Sequence, residues 1–217
     1  MTDKSNEYGY VPSSPTQAIR NNTGVFEVND INNLIEDNKW TSFGQLELIE
    51  TQTVSSPVAQ VDFTSIQEST YDVHLLTAND IEFSGTSIAN LGIRFFENGV
   101  IESSAVYQFA YQRCGSNGTF SEPKSTAINH LRLTTSSGNG GASNGYNYFY
   151  NLGDSTKYSF QTMHSSVMIT ANTIGASQFG SGVLPQASTV NGIRFFDSSA
   201  GQNIANGTFS LYGIRYS

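Results

Sequence analysis

Charge is scarce in this sequence. Of 217 residues only 13% are Asp, Glu, Lys or Arg, about half the usual share for a soluble domain. Ten Lys and Arg residues stand against eighteen Asp and Glu, a formal net charge of −8. A surface that grips a phosphate backbone needs clustered cations, and these are scattered, so nucleic acid is excluded as a partner. Cysteine is nearly absent. Cys114 stands alone, which rules out an intrachain disulfide and any zinc site built on cysteines. No apolar run approaches the ~20 residues of a membrane span, so no membrane insertion is expected. The opening MTDKSNEYGYVPSSPTQ lacks the apolar stretch of a signal peptide. Synthesis in a reducing cytoplasm, with exit by assembly or lysis, is the expectation.

Catalytic signatures are missing too. His74, His130 and His164 are isolated, with no HxH or HExxH spacing. No GxSxG, phosphate-binding loop or dinucleotide fingerprint occurs. Asp62, Glu68, Glu82, Glu97 and Glu102 offer carboxylates for a glycosidase pair, but such a pair is defined by its separation across a cleft. The sequence therefore predicts no catalytic, cofactor-binding or metal-ligating residues.

Helical periodicity is confined to one stretch. In VNDINNLIEDNKW, Asn29 is placed to cap, and Ile31, Leu34 and Ile35 form an i, i+3, i+4 stripe ahead of Trp40, the only tryptophan. Such a short helix cannot bury its own stripe. It follows a segment with Pro12, Pro15 and the aromatic clusters NEYGY and NNTGVF, which reads as an extended arm. Residues 1–41 are predicted as a docking arm, with Tyr8, Tyr10, Val25, Phe26, Ile31, Leu34, Ile35 and Trp40 as its partner-contacting side chains.

What remains alternates. From about residue 42 to 217, eight to ten segments of period two are separated by turn material such as ENG, GSNGT, SSGNGGASNG and NLGDS. With no helix between them, they predict an all-β fold, an antiparallel jelly-roll-like β-sandwich. One phrase is written twice, GIRFFE at 92–97 and GIRFFD at 192–197, with a partial copy, GIRY, at 213–216. Alternation sets Ile93, Phe95, Ile193 and Phe195 on the core face, with Arg94 and Arg194 outward. The three arginines, Arg215 included, are expected to lie apart. In NGYNYFYN, Tyr146, Tyr148 and Tyr150 share one face and Asn147, Phe149 and Asn151 the other. That row suits packing between protein layers or subunits, or an aromatic platform for a sugar.

Both ends of the chain resemble a known family. The string TGVFEVNDINNLIEDNKW at 23–40, the strands that follow it and GTFSLYGI at 207–214 are similar to virion structural proteins of tailed bacteriophages, marine ones among them. These carry a TGVFxxNDIxxLxxxxKW tether before a β-sandwich that closes with GTFxLYGI. The resemblance implies a non-enzymatic appendage or decoration of head or tail, made in the bacterial host cytoplasm and ending in the virion. Its partners would be other virion proteins, held through the arm, and further copies in a cyclic homo-oligomer such as a trimer. The alternatives are a carbohydrate-binding receptor-recognition module of a tail fibre or tip, which takes a host surface glycan, and a glycan-cleaving enzyme on the same scaffold.

Overall fold

The computed structural model describes residues 28–36, 46–137, 141–169, 174–199 and 201–214. The chain divides into two compact units, Met1–Gln45 with Tyr216–Ser217, and Leu46–Arg215. In the first, helix α1 spans Val28–Glu36. Asn29 thus stands in the first turn rather than before it, a one-residue shift within the ordinary ambiguity of a helix start.

Among its described residues the second unit has fourteen strands. These are β1 (Leu46–Val54), β2 (Gln60–Phe63), β3 (Val73–Phe83), β4 (Ile88–Glu97), β5 (Val100–Ile101), β6 (Tyr107–Gly115) and β7 (Phe120–Ser121). They continue with β8 (Lys124–Ile128), β9 (Leu131–Ser137), β10 (Ser143–Tyr150), β11 (Tyr158–Ile169), β12 (Ile174–Ala187), β13 (Val190–Asp197) and β14 (Ile204–Ile214). All pair antiparallel. One sheet runs β1-β14-β3-β10-β11-β12-β6-β7, with β8 also on β6; the other runs β2-β13-β4-β5, with β9 also on β4.

Eight of these strands form the predicted jelly roll. Taken as first to eighth, β1, β2, β3, β4, β9, β10, β13 and β14 pair in the orders first-eighth-third-sixth and second-seventh-fourth-fifth, as two interlocked Greek keys do. Two insertions extend it. Strands β5 to β8 enter between the fourth and fifth, and β11 and β12 between the sixth and seventh. Strands β11, β12 and β6 then lengthen the first sheet beyond β10.

The core lies between the inner faces. Phe63, Ile93, Phe95, Ile193 and Phe195 of the smaller sheet meet Leu76, Phe149, Phe209 and Leu211 of the larger, all fully buried. Phe195 lies 5.3 Å from Phe209, and Phe95 5.7 Å from Phe149, between ring centroids. Each such ring contributes about 1.5–3 kcal/mol on burial. Below β9 the larger sheet turns polar, and Gln161 donates to the Arg132 carbonyl at 2.8 Å and to Asn147 Oδ1.

The repeated phrase pairs with itself. Strands β4 and β13 are neighbours, with Ile93 opposite Phe195, Arg94 opposite Arg194 and Phe95 opposite Ile193. The two copies are thus related by a local twofold centred on the arginines. This register accounts for the glycines and the apolar letters. Inward, each Ile faces a Phe, a favourable cross-strand pair. Outward, Gly92 lies opposite Phe196 and Gly192 opposite Phe96. A side chain at Gly92 would strike Ser198 and crowd the Phe196 ring, and one at Gly192 would strike the Phe63 carbonyl and the Phe96 ring. These glycines sit inside the strands, where neighbouring groups, the facing phenylalanine among them, take the space a side chain would need. The third copy is out of phase: Gly213 faces inward beneath the Tyr71 ring, and Ile214 points out.

Strand β12 is absent from the sequence reading. Gly175, Ser177, Gly180, Ser181 and Gly182 interrupt its apolar alternation, and it contains Pro185. Small residues are required here, since a side chain at Gly180 would meet the Ala110 carbonyl and Tyr111 of β6. The glycine-rich loop before NGYNYFYN is also shorter than expected. Ser143 and Gly145 belong to β10, and Ser143 is buried.

Candidate functional site

The outward face of the larger sheet is a continuous lattice of uncharged side chains. Strand pairing carries three rows across seven strands, β1, β14, β3, β10, β11, β12 and β6. The first is Thr51, Ser210, Thr77, Tyr146, His164, Phe179 and Gln112. The second is Leu48, Tyr212, Leu75, Tyr148, Thr162, Ser181 and Ala110, and the third is Leu46, Ile214, Val73, Tyr150, Phe160, Val183 and Gln108. None of these positions holds Asp, Glu, Lys or Arg. Large apolar groups stand open along them: Leu48 is 59% exposed, Phe179 46%, Phe160 44% and Tyr146 42%.

The aromatic groups are organised rather than scattered. Tyr146 meets Tyr148 edge to face at 6.0 Å, and Tyr148 stacks with Tyr150 at 6.5 Å. The His164 ring packs on Tyr146 at 5.6 Å, and its Nε2 lies 3.3 Å from Ser177 Oγ. At the β6 end an open groove of about 590 Å³ is lined by Ala110, Lys124, Phe160 and Val183. A second, of about 320 Å³, adjoins Phe179 and Pro123. Lys124, on β8 at the rim, brings the first cation.

On the opposite, smaller sheet the outward face carries the two arginines of the repeated phrase. Arg94 and Arg194 lie opposite one another on adjacent strands, which corrects the expectation that they are apart. Each lies over the phenylalanine of the other copy: Arg94 is 4.4 Å from the Phe196 ring, and Arg194 5.2 Å from Phe96. Arg194 donates two hydrogen bonds to Asp62, at 2.8 and 2.7 Å, and this pairing raises its pKa. Arg94 donates Nε to the Asn129 carbonyl at 2.8 Å. Burial, with Arg194 beside it, draws its pKa down. Like charges directly opposed are destabilising; Asp62 and the ring faces offset this.

Of the predicted arm residues, Tyr8, Tyr10, Val25, Phe26 and Trp40 lie outside the described residues, as does Arg215. Ile31 is half-buried on α1, which also carries Leu34 and Ile35. Tyr146, Tyr148 and Tyr150 point outward from β10 and are not wedged between the two sheets. The sequence reading missed Phe160, Phe179, Leu46, Leu48 and Tyr212 as members of the same face. The signal for Phe160 was available, since Tyr158, Phe160, Thr162 and His164 alternate as plainly as the tyrosines.

The histidines do different things. His74 is buried and within 2.8 Å of the Ile66 carbonyl, and burial lowers its pKa. His130 is buried against Phe196. Burial, then Arg132 and Arg94, push its pKa down to about 4. Cys114 is a free thiol on β6. Among the described residues, no group of three or more His, Cys, Asp or Glu is placed to hold a metal ion. Nor is any helix among them long and apolar enough to cross a membrane.

No family model matches the chain, and no curated protein matches it. Among solved structures the chain is similar to the CBM2 module of an evolved Dit of Lactobacillus casei BL23 phage J-1. The two share 7% identity over 80% of this chain and 81% of that one, with a TM-score of 0.25. At that score the likeness carries no argument about fold or function.

Proposed function

We propose that this chain is a non-enzymatic structural component of a bacteriophage virion, an appendage or decoration of head or tail anchored by its N-terminal arm. The observation that carries the proposal is the set of three uncharged rows across seven strands on the outer face of the nine-stranded sheet. Isolated soluble domains rarely present an apolar patch larger than a few hundred Å². Aromatic groups with few charges are the composition of an interface centre. A chain built this way is made to be assembled. The stretch at 23–40 and the GTFSLYGI strand, which resemble those of tailed-phage virion proteins, are what point this reading to a phage particle. The test is quantitative mass spectrometry of purified particles from the encoding phage. The chain is expected at a fixed stoichiometry to the major head or tail protein, and deletion of residues 1–41 is expected to abolish its incorporation. Absence of the intact chain from washed particles would sink the proposal.

A second reading is favoured by the Tyr146, Tyr148 and Tyr150 row, whose rings lie edge to face and then stacked. It is a carbohydrate-binding module for a host surface glycan, with the rings as the platform. Glycan-array binding that Tyr148→Ala abolishes would favour it, and an array without signal would count against it.

A further inference from the structure

We propose that the outer face of the nine-stranded sheet is the docking surface for a second copy of this chain. The inference rests on the reading of the chain as an assembling structural protein and names the partner of that face.

Size is the first argument. Seven strands at ~4.8 Å spacing span about 29 Å, and three outward rows with their side chains cover about 20 Å, on the order of 600 Å². Flanking side chains such as Tyr158 and Met168, both about half exposed, enlarge it toward the ~800 Å² per partner of a stable protein–protein interface. A saccharide stacked on two or three rings would leave Leu46, Leu48 and Phe179, at the far ends of the rows, uncovered.

Charge is the second. Every copy carries a net charge of −8, so copies repel. In a symmetric contact a charged side chain lies close to the same side chain, or its neighbours, on the other copy. An acidic chain can therefore meet itself only where its acids are absent. A foreign partner would be selected by the opposite logic, with basic groups set against the acidic surface, and the three rows give such a partner nothing to pair with. Chemistry is the third. Tyr146, Tyr148 and Phe160 on the central strands supply the aromatic groups in which interface centres are enriched.

The test is the mass of the full chain in solution by sedimentation velocity, from dilute to concentrated. The wild type is expected to self-associate. Thr162→Glu places a carboxylate at an exposed position in the middle row and is expected to weaken association roughly a hundredfold or more, since opposed like charges cost several kcal/mol. Ser181→Glu, on the neighbouring strand, serves if the first variant does not fold. Hydrogen exchange of the wild type needs no variant: protection on β10 to β12 should rise with concentration. A wild type that stays monomeric throughout overturns the proposal, as does an oligomer unchanged by either variant or by concentration-dependent exchange elsewhere. A monomer that binds a soluble neutral polysaccharide on this face overturns it in favour of the glycan. Copies that associate through this face but are missing from particles defeat the virion reading alone. Copies present in particles yet monomeric in solution defeat this proposal alone.

Discussion

The paired phrase turns on a single carboxylate. Asp62 neutralises one of two arginines that face each other across β4 and β13. Replacing it by Asn keeps the shape and leaves both guanidiniums opposed. Asp62→Asn should therefore destabilise the fold by roughly 1 kcal/mol. The loss should shrink at high salt, because the group is partly exposed and screened. Adding Arg194→Gln should restore most of it, and urea unfolding at two ionic strengths measures all three states. A loss that ignores both salt and the second substitution would contradict the pairing. His130 makes a different prediction. Its folded pKa, about 4, lies below the ordinary 6.5, so between these values the unfolded chain binds more protons than the folded one. Stability should be full above pH 6.5 and fall as the pH drops toward 4, with buried His74 adding to the slope in the same direction. His130→Gln should flatten the decline of the unfolding midpoint between pH 7 and 5. A slope identical to wild type would show that His130 does not carry it.

Among the elements, β14 is covered on both edges. It lies between β1 and β3, and its Phe209 and Leu211 are fully buried. Removing residues 207–217 should abolish soluble expression, and Phe209→Ala should cost about 3–5 kcal/mol by chemical denaturation. A soluble, folded truncation would contradict this placement. The inserted strands should behave otherwise. Gly180→Val sets a side chain against β6, and should strip hydrogen-exchange protection from β6 and β12 while leaving β3 and β14 protected. Uniform loss would mean that jelly roll and extension unfold as one. Much at this scale was legible in the sequence. The strands of the phrase read correctly, and so did the ENG turn: Asn98 and Gly99 take positive φ of 51° and 80°, the two-residue hairpin turn such a pair favours. What escaped has physical reasons. Period two separates two faces of a strand without saying which is inward. In β10 the core takes Asn147, whose Oδ1 accepts from buried Gln161, while Tyr146 stands out. Strand β12 escaped because close packing on β6 demands the glycines that otherwise signal turns. Self-pairing of the phrase escaped because register depends on a neighbour one hundred residues away.

At the scale of the whole molecule, charge has been sorted. The larger sheet carries Asp80 and Glu82 on β3, Arg113 on β6 and Glu47 and Glu50 on β1, yet three rows across seven of its strands hold no charge. Sorting of this kind leaves no trace in net charge or composition. It emerges only when the registers of six strand pairs are laid side by side, and for that reason three tyrosines in one strand were visible in the sequence while the face they belong to was not. The central claim is that this face is a contact surface inside a virion, and the measurement that meets it most directly is an electron-microscopy map of the intact particle. The account predicts density for this chain with Leu48, Tyr148, Thr162 and Phe179 covered by protein and the Arg94–Arg194 face turned elsewhere. A map in which the chain is present with that lattice open to solvent, or in which it has no density at all, would contradict it.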